Sequence, residues 1–185
     1  MGIKRVILIG GSPGSGKTTI RRLAPDYFRP QYGETAALET DEFYSFVDPY
    51  WSSLTNDRWL FAYDTCLTTA TWLLQHHITT IFIFGNILYQ KDTVNRALKV
   101  LSPYSAVFHI TLDAAHSILV DRLRQRGDLN VHPPERLASW QADIQQNYAL
   151  WTTMIDTSDK TPQQVLDIIN NQVQQHHLAL GSQVV

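Results

Sequence analysis

The 185-residue chain contains a single cysteine, Cys66, so it has no internal disulfide and no cysteine-based zinc site. This scarcity is typical of proteins in a reducing compartment. The chain also has little excess of either sign of charge, because 15 basic and 17 acidic residues give a formal net charge of -2. Such a balance provides no excess of positive charge that would favour binding to nucleic acid or to an anionic membrane surface.

Long apolar runs are missing as well. No segment approaches the ~18 consecutive apolar residues of a membrane-spanning helix, and the first ten residues lack the cleavage site of a secretory signal. We therefore expect a cytoplasmic globular protein with no nucleic-acid partner and no membrane partner. The length predicts one domain over residues 1–185, since a domain typically holds about 100–200 residues.

Short runs rich in β-branched residues alternate with longer amphipathic segments along the chain. The predicted strands are Ile3–Ile9, Ala36–Thr40, Thr79–Phe84, Ser105–Leu112 and Thr152–Asp156. The predicted helices are Lys17–Ala24 (stopped by Pro25), Leu54–Gln75, Asp92–Leu101, Ala114–Arg126, Glu135–Leu150 and Thr161–His177. Near-continuous apolar strands that alternate with helices predict a parallel sheet covered on both faces, the three-layer α/β class.

The segment GSPGSGKT after the first predicted strand matches the phosphate-binding pattern G-x-x-x-x-G-K-[ST]. Glycines in this loop let backbone N–H groups converge on phosphate oxygens, at the N-terminus of a helix. Lys17 supplies a mobile charge for the β- and γ-phosphates, and the Thr18 hydroxyl is placed to bind Mg²⁺. The residues predicted to bind the nucleotide are Gly11, Ser12, Pro13, Gly14, Ser15, Gly16, Lys17, Thr18 and Thr19. No Asn-Lys-x-Asp stretch is present, which favours ATP over GTP.

Three further motifs follow in order: TDEFY at 40–44, LVDRLRQRG at 119–127, and IDTS at 155–158 with TPQQV at 161–165. Together with the P-loop they resemble the small P-loop kinases of the shikimate kinase, gluconate kinase and chloramphenicol phosphotransferase group. Adenylate kinase and zeta-toxin kinases are more distant relatives. The resemblance implies the strand order 2-3-1-4-5, a mobile lid at about 127–135, and transfer of the ATP γ-phosphoryl group to an acceptor.

Asp41 follows the second predicted strand, so its carboxylate is expected at the carboxyl edge of the sheet, where ligands bind. There it would take a proton from an acceptor hydroxyl or hold Mg²⁺, while the alternative is a helix N-cap. The resemblance places Arg126 at the base of the lid as a phosphate contact and Arg122 near the adenine. Arg136 is a possible second lid arginine, and Arg124 is expected on a solvated face.

The third predicted strand ends in Gly85-Asn86 without the acid that many P-loop ATPases carry there. Gly85 is predicted to allow close approach by the acceptor, and Asn86 to hydrogen-bond it, although a simple strand-ending turn is the alternative. Arg58 is a candidate clamp for an acceptor anion, with a surface role as the alternative. Aromatic residues between Asp41 and the third strand would form either an acceptor pocket or core: Phe43, Tyr44, Phe46, Tyr50, Trp51, Trp59, Phe61 and Tyr63.

The sequence thus predicts an ATP- and Mg²⁺-dependent kinase, with Lys17, Asp41 and Arg126 catalytic and Thr18 and Asp41 at the metal. Asp41, Arg58, Gly85 and Asn86 are its candidate contacts with a small-molecule acceptor. The alternatives are a nucleoside or nucleotide kinase, and a module that senses ATP without turning it over. The sequence does not identify the acceptor or the oligomeric state.

Overall fold

The computed structural model describes residues 3–50, 55–148 and 153–181. The strands in these ranges are β1 (Arg5–Gly11), β2 (Thr35–Glu39), β3 (Thr80–Phe84), β4 (Ala106–Asp113) and β5 (Thr153–Asp156). The helices are α1 (Lys17–Tyr32), α2 (Thr40–Val47), α3 (Asn56–Gln75), α4 (Lys91–Leu101), α5 (His116–Arg126), α6 (Pro134–Tyr148) and α7 (Pro162–Gly181). The predicted positions Trp51, Leu54, Leu150 and Thr152 lie outside the described residues.

The five strands form one parallel sheet of order β2-β3-β1-β4-β5, which confirms the predicted order. Strand β1 is central, and its Ile7 stands opposite Phe82 of β3 and Phe108 of β4. Because all the strands run the same way, their carboxyl ends meet at one edge. The loop that leaves β1 therefore emerges in the middle of that edge.

Two hydrophobic clusters cover the two faces of the sheet. Alternate residues of β1 divide between them, with Ile7 and Ile9 in one cluster and Val6 and Leu8 in the other. Residues of α1 and α7 complete the first cluster, and residues of α3 and α4 complete the second. This division produces the predicted three layers, because each apolar strand is buried on both sides.

Helix α1 continues to Tyr32, so the prediction that it stops before Pro25 is wrong. A proline inside a helix removes a backbone hydrogen bond and costs about 3 kcal/mol. The helix persists because Ile20, Ala24 and Phe28 follow one another at four-residue spacing and are all buried against the sheet. Tertiary burial outweighs the local preference at this position.

Helix α2 was not predicted from the sequence. Strand β2 ends at Glu39, and α2 begins at Thr40 without an intervening loop. The strand boundary therefore lies one residue before the predicted end. None of the helices in the described part of the chain is long and apolar enough to cross a membrane.

The burial of Phe28 can be tested by mutation. We expect Phe28→Ala to lower the free energy of unfolding by about 3–5 kcal/mol, because it removes a fully buried ring and leaves a cavity. Leu23→Ala, on the exposed side of the same helix, is the matched control and should cost about 0.5 kcal/mol or less. Urea denaturation measures both. Equal losses would mean that the chain beyond Pro25 does not pack against the sheet.

Candidate active site

A glycine-rich loop joins β1 to α1 at the carboxyl edge of the sheet. Gly14 and Gly16 adopt φ angles of 85° and 99°, a region that glycine reaches without steric penalty. A Cβ atom at Gly16 would meet no atom within 4 Å, so packing does not explain this glycine. Helix α1 begins at Lys17 with no side-chain cap and no acidic residue in its first turn. Its free N–H groups are therefore left for an anion.

The side chain of Lys17 folds back onto this loop. Its Nζ donates hydrogen bonds to the carbonyl oxygens of Gly11, at 2.6 Å, and Ser12, at 2.9 Å. Burial lowers the pKa of Lys17 to about 8, against the opposing effect of the carboxylates of Glu39 and Asp41. The Lys17 ammonium is therefore hydrogen-bonded to neutral carbonyls in a buried position, where loss of hydration destabilises its charged form.

Two serine hydroxyls of the loop have no partner. The Oγ atoms of Ser12 and Ser15 are buried and make no hydrogen bond within the described residues. Buried polar atoms are nearly always paired, so an orphaned one calls for an explanation. Together with the uncapped helix and the folded-back lysine, these oxygens fit a loop that binds a polar ligand such as a triphosphate.

The loop forms the floor of a cleft of about 270 Å³. Of the residues predicted from the sequence, Pro13, Gly14, Gly16, Lys17, Thr18, Thr19, Asp41, Asn86 and Arg126 line it. Arg21, Glu39, Leu123, Asp128 and His132 also line it and were not predicted as site residues. The cleft therefore brings most of the predicted phosphate, metal and acceptor contacts to one place.

Asp41 lies in the first turn of α2, directly after the strand that carries it to the sheet edge. Glu39 occupies the N-cap position of this helix, so Asp41 is not the N-cap, which was the alternative considered for it. Burial raises the pKa of Asp41, and the charge of Lys17 acts in the opposite direction. The result is a carboxylate that lines the cleft and is a stronger base than an exposed one.

Glu39 is a second carboxyl group in the cleft. Its side chain is 15% exposed and caps no N–H group of α2. Arg21 Nε lies 4.0 Å away, at the limit of an ion pair. Burial and the neighbouring Asp41 raise the pKa of Glu39 to about 7, opposed by Lys17 and Arg21. The sequence analysis did not single out Glu39, which lies inside the predicted strand 36–40.

The loop from Gly127 to Pro133 joins α5 to α6 beside the cleft. Gly127 ends α5 in the left-handed conformation, with φ 76°, as glycine commonly does at the C-terminus of a helix. Asp128 and His132 of this loop line the cleft. Burial lowers the pKa of His132, whose Nδ1 has no hydrogen-bond partner among the described residues.

Two arginines of α5 have different surroundings. Arg126 lines both the cleft and a neighbouring cavity, and its side chain makes no hydrogen bond or ion pair within the described part of the chain. Arg122 donates hydrogen bonds to the carbonyl oxygens of Gly14, at 3.3 Å, and Thr157, at 2.7 Å. As expected, Arg124 is exposed, where it pairs with Asp121.

A second cavity, of about 470 Å³, adjoins the phosphate loop on its other side. It lies between Arg122 of α5 and the segment after β5, where Lys160 and the first residue of α7, Pro162, line it. The Oγ1 atom of Thr157 lies 3.0 Å from the carbonyl oxygens of both Ser15 and Asp113. This hydroxyl ties the wall of the cavity to the phosphate loop.

The donor groups in the cleft fit Mg²⁺ in its usual nucleotide-bound mode. Among the described residues there is no cluster of three or more His, Cys, Asp or Glu placed to hold a metal ion. Mg²⁺ rarely needs one, since it commonly binds through one or two carboxylates together with substrate phosphates and waters. The Thr18 hydroxyl and the Asp41 carboxylate line the same cleft and supply donors of this kind.

Two of the predicted acceptor contacts do not reach the cleft. Arg58 does not line it, and its guanidinium lies 3.7 Å from the buried carboxylate of Asp48 instead. Gly85 is buried where a Cβ atom would come within 2.5 Å of Thr40 Oγ1, so the close approach it permits is to its own chain. Neither residue is positioned to contact an acceptor in the cleft.

The aromatic residues between Asp41 and β3 that the structure describes lie in the core or at the surface. Tyr44 and Tyr63 are fully buried core residues, and Trp59 stacks on Tyr63 at 5.1 Å between ring centroids. Phe46, Tyr50 and Phe61 are exposed. None of the described aromatic residues of this segment lines the cleft.

No acid ends β3, as predicted: the strand stops at Phe84 and Gly85 follows. Strand β4, which lies on the other side of β1, does end in an acid, Asp113. Asp113 is buried, and the side-chain amide of Gln141 donates to its two oxygens at 3.1 and 3.3 Å. Asp113 does not line the cleft, but its charge opposes the lowering of the Lys17 pKa.

A parallel sheet of order 2-3-1-4-5, with a phosphate loop after its central strand and a loop beside the cleft, has the fold of the P-loop kinases. A family model described as Zeta toxin matches residues 2–178, and the chain belongs to the Zeta toxin family. The predicted membership of the P-loop kinase group is thereby confirmed. The sequence resemblance places zeta-toxin kinases among the more distant relatives, whereas the Zeta toxin model matches nearly the whole chain. A comparison with curated proteins finds no match.

Solved structures share the fold over nearly the whole chain. Shikimate kinase from Acinetobacter baumannii in complex with shikimate is 13% identical, with 94% of each chain covered and a TM-score of 0.67. A tunicamycin resistance protein from Deinococcus radiodurans is 16% identical, with 92% of this chain and 96% of that chain covered and a TM-score of 0.66. A gluconokinase from Sinorhizobium meliloti 1021 is 14% identical, with both chains fully covered and a TM-score of 0.66.

The raised pKa of Glu39 predicts a pH-dependent stability. In the unfolded chain Glu39 has an ordinary pKa and is ionised above it, while in the folded protein Glu39 keeps its proton up to about pH 7. The folded protein therefore becomes less stable as the pH rises between these two pKa values. We expect Glu39→Gln to gain stability relative to the unmutated protein between about pH 5 and pH 8, by at most about 3 kcal/mol.

Urea denaturation without nucleotide, in a chelator, measures this gain. Glu34→Gln is the matched control, because Glu34 lies just before the same strand, pairs with Arg29 and is exposed. It should change the stability by about 0.5 kcal/mol or less. A pH-independent stability difference for Glu39→Gln would contradict the buried position of Glu39.

Proposed function

We propose that this protein is an ATP- and Mg²⁺-dependent phosphotransferase that moves the γ-phosphoryl group of ATP to a hydroxyl group of a small molecule. The observation that carries the proposal is the meeting of the Lys17 ammonium, the Thr18 hydroxyl and the Asp41 carboxylate in one cleft. A phosphate-binding cation, a metal donor and a base are the parts that such a transfer needs. The shared fold with shikimate kinase and gluconokinase supports the reaction type.

The nucleotide would lie across the two cavities. Its triphosphate binds the loop at the start of α1, and Lys17 exchanges the carbonyls of Gly11 and Ser12 for phosphate oxygens. Its base enters the second cavity beside Arg122. When bound, Mg²⁺ neutralises charge on the phosphates, and Thr18 and Asp41 are the residues that would hold it.

Asp41 is the candidate base for the acceptor. It takes the proton of the acceptor hydroxyl while that oxygen bonds to the γ-phosphorus, and the bond to the bridging oxygen breaks, so that ADP leaves with the electron pair. The raised pKa of Asp41 suits this role, because a carboxylate with a higher pKa holds the proton more firmly.

Arg126 and the loop after it complete the site. The free guanidinium of Arg126 stabilises the negative charge that spreads over the transferring phosphoryl group. Closure of the loop from Gly127 to Pro133 would exclude water, which otherwise competes with the acceptor for the phosphoryl group. We place the lid of this single domain in this loop.

Lys17→Ala tests the phosphate site. We expect the variant to lose turnover by at least about a hundredfold, since it removes a charge that stabilises the transition state, and to bind ATP more weakly. ADP release measures turnover, and calorimetry measures ATP and GTP binding in the presence of Mg²⁺. The control is Lys99→Ala, at an exposed position on α4. Unchanged turnover in Lys17→Ala would overturn the assignment.

Asp41→Asn separates binding from transfer. We expect ATP binding within about threefold of the unmutated protein but at least a hundredfold lower phosphoryl transfer, because the amide cannot accept the hydroxyl proton. Asp92→Asn, exposed on α4, is the matched control. Transfer at an unchanged rate would exclude Asp41 as the base. ATP binding by the unmutated protein with no ADP released across a broad acceptor panel would identify a nucleotide sensor instead.

A further inference from the structure

Thr157 directly follows β5 and contacts the phosphate loop, although 142 positions separate it from Ser15 in the sequence. The residue is buried, and its Oγ1 atom lies 3.0 Å from the carbonyl oxygens of both Ser15 and Asp113. The Asp113 carbonyl already accepts the backbone N–H of Thr157 at 2.8 Å. A hydroxyl group has a single hydrogen to donate, so the Ser15 carbonyl is the acceptor that depends on it.

Arg122 of α5 holds the Thr157 hydroxyl from a second direction. Its Nη2 atom donates to the Thr157 carbonyl oxygen at 2.7 Å. Its Nη1 atom donates to Thr157 Oγ1 at 3.1 Å and to the Gly14 carbonyl oxygen at 3.3 Å. Because the Thr157 oxygen accepts from Arg122, its own hydrogen is directed elsewhere, towards the loop. All three acceptors of the guanidinium are neutral, and the planar fork of the arginine fixes their relative positions.

The contact with Gly14 fixes the direction of one peptide plane in the phosphate loop. No peptide bond in the described part of the chain is cis, so each C=O group points opposite to the N–H group of the next residue. The Gly14 carbonyl faces Arg122. The N–H group of Ser15 therefore points the other way, where it donates to the Ser12 carbonyl at 3.1 Å and closes a turn.

The contact with Ser15 fixes the next peptide plane and leaves a donor at the cleft. The Ser15 carbonyl faces Thr157, so the N–H group of Gly16 points away from Thr157. Gly16 lines the cleft, whereas Thr157 does not. The Gly16 N–H makes no hydrogen bond within the residues that the structure describes. It is an unsatisfied donor just before the first turn of α1, where an anion would bind.

We propose that Thr157 is a positioning residue of the phosphate site: its hydroxyl, held in place by Arg122, turns the Gly16 N–H group towards a bound phosphate. A donor whose direction is fixed before the ligand arrives loses less freedom on binding, so this preorganisation increases affinity. The inference rests on the proposed function, which assigns a triphosphate to this loop. It gives Arg122 a role at the phosphates in addition to its expected place beside the adenine.

Tripolyphosphate separates this role from a contact with the nucleobase, because it has three linked phosphates and no nucleoside. Calorimetry measures the Kd of ATP and of tripolyphosphate, each with Mg²⁺. We expect Thr157→Val, which keeps the shape of the side chain and removes the hydroxyl, to raise both constants by about fivefold or more. Thr157→Ser keeps the hydroxyl and should stay within about twofold of the unmutated protein.

Ser158→Ala is the matched control for Thr157→Val. The neighbouring Ser158 hydroxyl accepts from the backbone N–H of Ala115 and donates to Asp156, and it makes no contact with the phosphate loop. Its removal should leave both dissociation constants within about twofold of those of the unmutated protein, since the loss of a hydrogen bond elsewhere does not turn the Gly16 N–H group. Thermal denaturation verifies that each variant is folded at the temperature of the calorimetry.

Arg122→Lys tests the second part of the arrangement. A lysine keeps the positive charge but lacks the planar fork that joins Thr157 to Gly14, so we expect the tripolyphosphate Kd to rise by about threefold or more. Arg124→Lys, exposed on the same helix, is the control and should stay within about twofold. Thr157→Val combined with Arg122→Lys should raise the Kd by less than the product of the single effects, because both changes loosen the same part of the loop.

An unchanged tripolyphosphate Kd in Thr157→Val would overturn the inference, as would equal losses in Thr157→Val and Thr157→Ser. An unmutated protein that binds ATP but not tripolyphosphate would also overturn it, because an oriented loop binds phosphates without a nucleoside. Failure of the unmutated protein to bind either ligand would overturn the proposed function itself, so the two failures are distinguishable.

Discussion

The buried ammonium of Lys17 is the charge on which the rest of the cleft depends. Its hydrogen bonds go to neutral carbonyls, so its burial is compensated mainly at a distance, by Glu39 and Asp41. Those carboxyl groups are themselves buried and would be more costly without the lysine. The three groups are therefore one electrostatic unit, in which the removal of one alters the protonation of the other two.

The topology of the sheet brings this unit together. Lys17 follows β1, while Glu39 ends β2 and Asp41 follows it. Strand β3 separates β2 from β1. Strands that run parallel end at one edge, so residues far apart in the sequence meet there. Strand β3 is followed by Gly85, where a Cβ atom would come within 2.5 Å of Thr40 Oγ1, so this glycine lets α2 begin close to the end of β3.

The sequence predicts best those features that depend on local pattern. The phosphate loop at 11–18 is recognisable because its glycines and lysine have fixed spacing, and the strand order follows from the family resemblance. Features decided by tertiary contacts were missed. Burial lets α1 continue past Pro25. Glu39 lines the cleft from the end of β2, and Arg58 lies beside the buried Asp48 and not in the cleft.

The shared fold determines where the phosphate loop lies, but it does not determine which acceptor is bound. A shikimate kinase, a tunicamycin resistance protein and a gluconokinase share this fold with the chain at 13%, 16% and 14% identity. A glycine-rich loop of this kind binds phosphate through backbone N–H groups, which tolerate wide sequence change. An acceptor is recognised by side chains, so the shared fold alone does not determine its identity.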